Sequence, residues 1–311
     1  MTSQRHIIVI ATGIVLLAIA CLADITWGGY AGSDILLHLR LPRMATALFA
    51  GAAMALSGSQ MQSIFRNPLA DPHIMGISSG AALGAALATM HTGAALAGMS
   101  IAISASIGAA GAAGIILYAS GRFRNASILL IFGVMLGFII TAIVSILQFS
   151  SDAESLKSFF SWSAGSFSNT TWGETAIIAC TLAAGLIIAL FNHKGLDLIL
   201  FGDEFTELSG GFPSKIRLSA LLSCSLMTGA VTAFCGPLGF VGIIGPHIAK
   251  ALLGTSAHKA VLPASLLTGG LIGVCADLIS RMTPSPMPVA STMALLGIPV
   301  ILYIMLKRPE L

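Results

Sequence analysis

Asp277 and His247 are the side chains whose surroundings first suggest chemistry, because each stands within a long apolar run. Asp277 falls late in the run 261–279, and His247 follows Pro246 in the run 240–253. An ionisable group in hydrocarbon costs several kcal/mol unless it is paired, so such a residue is a functional candidate by default. No file of Asp, Glu and His accompanies them to pass protons, which weakens a proton-coupled carrier. The metalloprotease pattern HExxH is missing, and no serine and lysine share an apolar run, so an intramembrane hydrolase finds no support. The nucleotide-binding loop GxxxxGK followed by Ser or Thr is missing too, so a pump built on this chain would draw its energy from another chain. Cys21, Cys180, Cys224, Cys235 and Cys275 lie in or at the ends of apolar runs and form no CxxC pair. They read as small buried hydrophobes, with neither a disulfide nor a metal site expected.

The elements that must position these groups are membrane helices. Of 311 residues, 56% are hydrophobic and only 9% are charged. A soluble domain carries about 25% charged residues, so this chain must face lipid over most of its area. A formal net charge of +3 is too small to suggest nucleic acid. Ten runs are long or apolar enough to be candidate spans: 7–25, 44–64, 74–90, 95–119, 128–147, 175–191, 218–235, 240–253, 261–279 and 292–306. The first, after Arg5, reads as an uncleaved membrane helix rather than a signal peptide. The third, eighth and tenth are short, which predicts broken or re-entrant helices packed inside protein. With an even count and the N-terminus inside, eleven of the 15 Lys and Arg fall on the inner side. Arg40, Arg43, Lys157 and Arg281 are left outside, a distribution that obeys the positive-inside rule. Gly80/Gly84, Gly133/Gly137 and Gly269/Gly273 are small-xxx-small pairs, and Gly108, Gly111 and Gly114 form a small-residue stripe. Such patterns predict close helix packing within the subunit, or a seam between two copies.

Two polar regions stand out. The inner interval Asn192 to Arg217 holds Asp197, Asp203, Glu204 and Glu207, and Gly210-Gly211 is a plausible helix stop. It reads as one or two short helices at the membrane surface, either a solvated loop or a docking surface for an inner partner. On the outer face, Arg40, Arg43 and Arg281 either snorkel to headgroups or meet an acidic partner.

The residues "RLPRMATALFAGAAMALSGSQMQSIFRNPLADPHIMGISSGAALGA" (Arg40 to Ala85) resemble the N-terminal block of the FecCD permeases, the membrane subunits of importers for siderophores, haem and cobalamin. Gly236 to Gly254, Leu262 to Arg281 and Pro288 to Arg308 resemble three further blocks in the family's order, and Phe159 to Trp172 a weaker one. The chain is thus identified as similar to that family over nearly its whole length, as one permease domain.

The resemblance implies an all-α integral membrane protein with about ten transmembrane helices in the type II ABC importer permease fold. It implies a homodimer with the path at its axis, lined mainly by spans two and five. Two cytoplasmic ATPase subunits would hold ATP and Mg, with no cofactor on this chain. Each would dock at Asp203, Glu204, Thr206, Glu207, Leu208, Gly210 and Gly211, within the interval 192–217. Arg40, Arg43 and Arg281 would meet acids of one periplasmic substrate-binding protein, and Asn67 and Leu69 would constrict the cytoplasmic end of the path. The cargo would be an iron-siderophore, haem or cobalamin complex, carried across a bacterial inner membrane with both chain termini cytoplasmic. The family commonly has Glu-Leu-Pro where this chain has Pro286-Met287-Pro288. Without that carboxylate, Arg281 is expected to be freer for a partner. The rivals are a secondary transporter working alone, which should carry an ion-coupling constellation at mid-membrane, and a purely structural membrane subunit.

Overall fold

The structure is a computed structural model describing residues 2–27, 32–90, 100–123, 125–282 and 287–307. Among these residues every regular element is helical. Helix α1 (Thr2–Thr26) is followed by the short α2 (Ser33–Ile35), which runs through a π turn, Leu36–Arg40, into α3 (Leu41–Ile64). A 3-10 turn, Pro72–Met75, leads to α4 (Ile77–Met90), then α5 (Ile101–Arg122), α6 (Ala126–Phe149) and the short α7 (Ala153–Ser163). The chain continues with α8 (Trp172–Ile199), α9 (Asp203–Leu208), α10 (Pro213–Cys235), α11 (Val241–Leu253), α12 (His258–Ser280) and α13 (Val289–Lys307).

Each of the ten apolar runs is carried by one of these helices. Among the described residues α1, α5, α6, α8, α10 and α12 are long and apolar enough to cross a membrane, whereas α4, α11 and α13 are shorter apolar helices. Residues 95–99 of the fourth run lie outside the described residues. The ends follow local chemistry. Asn125 and Ser100 cap α6 and α5 by accepting from the backbone N–H of Ser127 and Ile103. Thr171 and Glu174 form a reciprocal capping box at the start of α8. Gly254, at φ +66°, ends α11 in the left-handed region that glycine adopts without strain. Pro68 cannot continue α3, and Arg66 at φ +48° begins the turn.

At the centre lies α3. Every residue from Ala50 to Phe65 is buried, and α8, α10, α11 and α12 pack around it. Several of its polar side chains are bonded by protein, as burial demands, while the Ser57 and Ser59 hydroxyls and Gln60 Oε1 are buried without a partner among the described residues. Thr46 shares a 2.7 Å hydrogen bond with Thr175, Gln60 donates to Ser223 at 3.0 Å, and Lys250 donates to Gln62 at 3.0 Å. This corrects one expectation: a helix sheathed by its own subunit does not line an axial path, so span two is a hub instead. The fifth span, α6, keeps a largely exposed apolar flank, including Phe138, Ile139 and Ile146.

The paired glycines serve packing within the subunit. An ideal Cβ on Gly58 would sit 1.8 Å from the Gly242 carbonyl oxygen, and one on Gly51 would sit 2.2 Å from that of Gly269. Gly80 meets Gly108, and Gly133 and Gly137 lie against Met75 and Gly76. An ideal Cβ on Gly111 or Gly114 would meet nothing within 4 Å, so the expected three-glycine stripe divides, with only Gly108 closely packed. Because Gly242 packs on Gly58, about two turns above the end of α3, α11 begins within the depth of the bundle. That is the short helix packed inside protein expected of the eighth run. The cysteines also divide: Cys224 and Cys235 are buried, but Cys180 is exposed on α8.

Candidate functional site

Two ends of the bundle gather the polar side chains. At the end that the charge distribution assigns to the inner side, here the inner end, α8 does not stop at residue 191 but continues to Ile199, so the interval 192–217 is mostly helix and not a loop. Three residues, Leu200 to Gly202, turn the chain into α9, which carries Asp203 and Glu204 in its first turn, where the helix dipole favours acids. The Thr206 hydroxyl donates to the Gly202 carbonyl at 2.7 Å, and the Gly211 N–H donates to the Thr206 carbonyl at 2.8 Å. Gly210, at φ +79°, makes the stop. Arg217 of α10 pairs with Asp203 at 2.5 Å and is itself buried.

Of the residues expected to couple to an ATPase, Glu204, Glu207, Leu208 and Gly210 face outward, Gly211 is half-buried and Asp203 is held by Arg217. Thr206 is fully buried. It holds the turn and supports the exposed residues of α9 from behind. Phe201, Phe205, Leu208 and Phe212 are exposed around the acids, with Leu208 at 89%. Lys215 lies over the Phe212 ring at 4.7 Å. A groove of about 630 Å³ separates α9 from the end of α5, lined by Ser120, Phe123, Asp203, Glu207 and Phe212.

The turn after α3 occupies the same end. Asn67 Oδ1 accepts from the Leu69 N–H at 2.9 Å, an Asx turn that holds Leu69 half exposed. The Arg66 guanidinium lies against Gly202, next to α9.

At the outer end the arginines are not free. Arg43 Nε donates to both carboxylate oxygens of Asp277 at 2.9 Å, and its Nη2 lies 2.8 Å from Asp277 Oδ1. Arg281 pairs with Asp24 and lies 3.3 Å from Asp277. Both aspartates are buried, and the two arginine side chains are 16% and 15% exposed. Arg40 Nη1 donates to the Ile25 carbonyl at 2.8 Å. The expectation that Arg281 is freed by the missing glutamate is therefore corrected, since Asp24 and Asp277 supply its carboxylates. Pro286 itself lies outside the described residues. Asp277, flagged in the sequence as an unpaired cost, is half of a structural ion pair. Asp24 escaped notice because it ends the first run and has no local motif.

Also at this end, a groove of about 550 Å³ is lined by Glu154, Lys157, Trp162, Asn169 and Glu174. Asp152 caps α7 beside it, and hydrogen bonds from the Ser155 backbone and hydroxyl hold its carboxyl below the usual range. His247 is engaged locally, its Nδ1 donating to the Ile243 carbonyl at 2.7 Å. The hydrolase reading set aside above has one match of letters, Gly76-Ile77-Ser78-Ser79-Gly80. Ser78 is buried at the start of α4 with its hydroxyl 3.3 Å from Thr232 Oγ1, so it is a packing contact and no exposed nucleophile.

Comparison with known proteins agrees with this architecture. Residues 5–307 match the FecCD transport family. The hemin transport system permease protein of Yersinia pestis is 34% identical over 89% of this chain and 84% of that protein. The vitamin B12 import system permease protein of Klebsiella pneumoniae is 32% identical over 90% and 85%. The iron(3+)-hydroxamate import system permease protein of Bacillus subtilis is 31% identical over 87% and 71%. Among solved structures, an inward-facing metal-chelate type ABC transporter superposes with a TM-score of 0.88 at 28% identity, covering 96% of this chain and 98% of that one. The helical bundle, the six helices able to cross a membrane among its described residues and these matches together make this chain a multi-pass membrane protein of the FecCD transport family, an ABC transporter permease subunit.

Proposed function

We propose that two copies of this chain form the membrane path of an ATP-driven importer, each copy crossing a bacterial inner membrane ten times. The hydrolysis of ATP with Mg takes place on two cytoplasmic ATPase subunits docked at α9, and one periplasmic binding protein delivers the cargo. Both chain termini lie in the cytoplasm. The cargo is an iron-siderophore, haem or cobalamin complex, in keeping with the named activities of the relatives. The observation that carries this reading is α9. Exposed Phe205, Leu208 and Phe212 beside Glu204 and Glu207 form an apolar surface with an acidic rim. That surface is held in place from behind by Arg217 and Thr206. Partner surfaces are built this way, with an apolar centre and a charged rim, whereas lipid-facing residues need no acids.

The test is reconstitution. The chain alone in vesicles should move none of hemin, cyanocobalamin and a ferric hydroxamate under an imposed ion gradient. With its ATPase and binding protein it should move one of the three at the expense of ATP. Ion-driven movement by the chain alone would make it a secondary transporter and end the reading. Leu208→Asp places a charge at the centre of the docking surface. It should weaken ATPase binding about tenfold or more, the scale of a central contact, while leaving thermal stability unchanged, since Leu208 is 89% exposed. Thr206→Val should do the reverse, lowering stability first.

A further inference from the structure

A chain of polar side chains, buried at Ser63 and His258 and 36% exposed at Asp197, joins three helices near the inner end, and none of the functions above uses it. Asp197 Oδ1 lies 2.6 Å from His258 Nδ1 and accepts the His258 backbone N–H at 2.9 Å. His258 Nε2 lies 2.6 Å from Ser63 Oγ, and Ser63 Oγ is 2.9 Å from the Ser59 carbonyl. Asp197 thus serves α12 as an N-terminal cap supplied from α8, satisfying an N–H that helix starts leave open. A carboxylate oxygen only accepts, so the proton on Nδ1 points at Asp197.

The residue types are those of a hydrolytic triad, but the setting is not. Ser63 is 2% exposed and His258 is 0% exposed, so no substrate reaches the hydroxyl. What the geometry provides instead is a link between the ends of three helices. Asp197 stands six residues before α9, with only Leu200 to Gly202 between the helices. Ser63 stands four residues before Asn67, in the last turn of α3. The link therefore joins the docking surface to the turn that holds Leu69.

We propose that Asp197, His258 and Ser63 are a positioning relay, passing a displacement of α9 to the Arg66–Leu69 turn through the ends of α8, α12 and α3. The proposal rests on the reading that α9 docks an ATPase. Hydrogen exchange in nanodiscs tests it without knowledge of the cargo. In the permease–ATPase complex, ATP with vanadate should alter amide exchange both in α9 and in residues 66–70. Asp197→Ala should cut the response at 66–70 about fivefold or more, the scale of an ordinary coupling energy, and leave the response of α9 intact. Asp197→Asn keeps an acceptor oxygen for His258 and should restore most of the response, which a general loss of stability would not explain. In the chain alone, Asp197→Ala should raise exchange at 66–70 by a similar factor while α10 is unchanged. An undiminished response in Asp197→Ala, or unchanged exchange in the chain alone, overturns the relay. Absence of any ATPase-induced change in α9 of the wild type counts against the docking reading instead, and the measurement on the chain alone then decides the relay.

Discussion

Gly58→Ala should prevent most of the protein from reaching its folded state, although it adds a single methyl group. The ideal Cβ lies 1.8 Å from the Gly242 carbonyl oxygen, 2.4 Å from its carbonyl carbon and 2.5 Å from its Cα. All three are backbone atoms, so no rotamer change relieves the clash. Either α3 or α11 must move, and α3 is also held by α8, α10 and α12. Overpacking usually costs about 1–3 kcal/mol. A backbone-on-backbone collision at the hub belongs at or above the top of that range, a large share of the roughly 5–15 kcal/mol that keeps a domain folded. The measurement is the fraction of protein that elutes monodisperse from detergent, with its apparent melting temperature.

Two controls show that the position decides the outcome, not the glycine. Gly297→Ala meets Ile244 Cδ1 at 1.8 Å, the far end of a flexible side chain that can rotate away, and should cost little. Gly111→Ala meets nothing within 4 Å and should hold or slightly raise stability, because alanine favours helix over glycine by about 1 kcal/mol. If Gly58→Ala and Gly111→Ala melt together, close approach of α3 and α11 is not what holds the bundle.

The helices were legible because lipid imposes one requirement on every residue of a span, and hydropathy reads that requirement directly. The blocks of Arg40 to Ala85 and Gly236 to Gly254 likewise carried the family, as the match over residues 5–307 shows. What stayed hidden was the orientation of side chains about the helix axes. Gly108 and Gly111 look alike in a string of small residues, yet one packs on Gly80 and the other meets open space. The path-lining role of α3 came from the resemblance alone, and its composition could not contradict it, since a Ser- and Gln-bearing span suits either an aqueous path or a buried hub. Partners distant in sequence were hidden as well. Arg43 and Asp277 are 234 positions apart, and Ser63 and His258 are 195 apart. No local pattern announces such pairs, so the outer arginines looked unpaired and nothing in the sequence marked His258.

Those outer arginines give the second large effect. Asp277→Ala should destabilise the protein by about 3–5 kcal/mol, the usual consequence of removing one partner from a buried ion pair. Asp277 is 0% exposed and is shared by Arg43 and Arg281, so its loss strands two guanidinium groups against one remaining carboxylate, Asp24. The pair Arg43→Met with Asp277→Ala should recover part of the loss, because it removes the stranded charge together with its counter-ion. Apparent melting temperatures of the two single variants and the double variant measure that coupling, and strict additivity would mean the network is not cooperative. The same network changes how docking to a periplasmic partner must be tested. Reversing Arg43 or Arg281 to glutamate sets a third carboxylate beside Asp24 and Asp277, so weaker docking in such a variant would report a disturbed outer face. A docking contribution is separable only as a salt-dependent loss of binding-protein affinity that is larger at low ionic strength, in a variant whose melting temperature matches the wild type. Arg40→Gln is a further variant to try, because a glutamine amide can still donate to the Ile25 carbonyl that Arg40 Nη1 reaches.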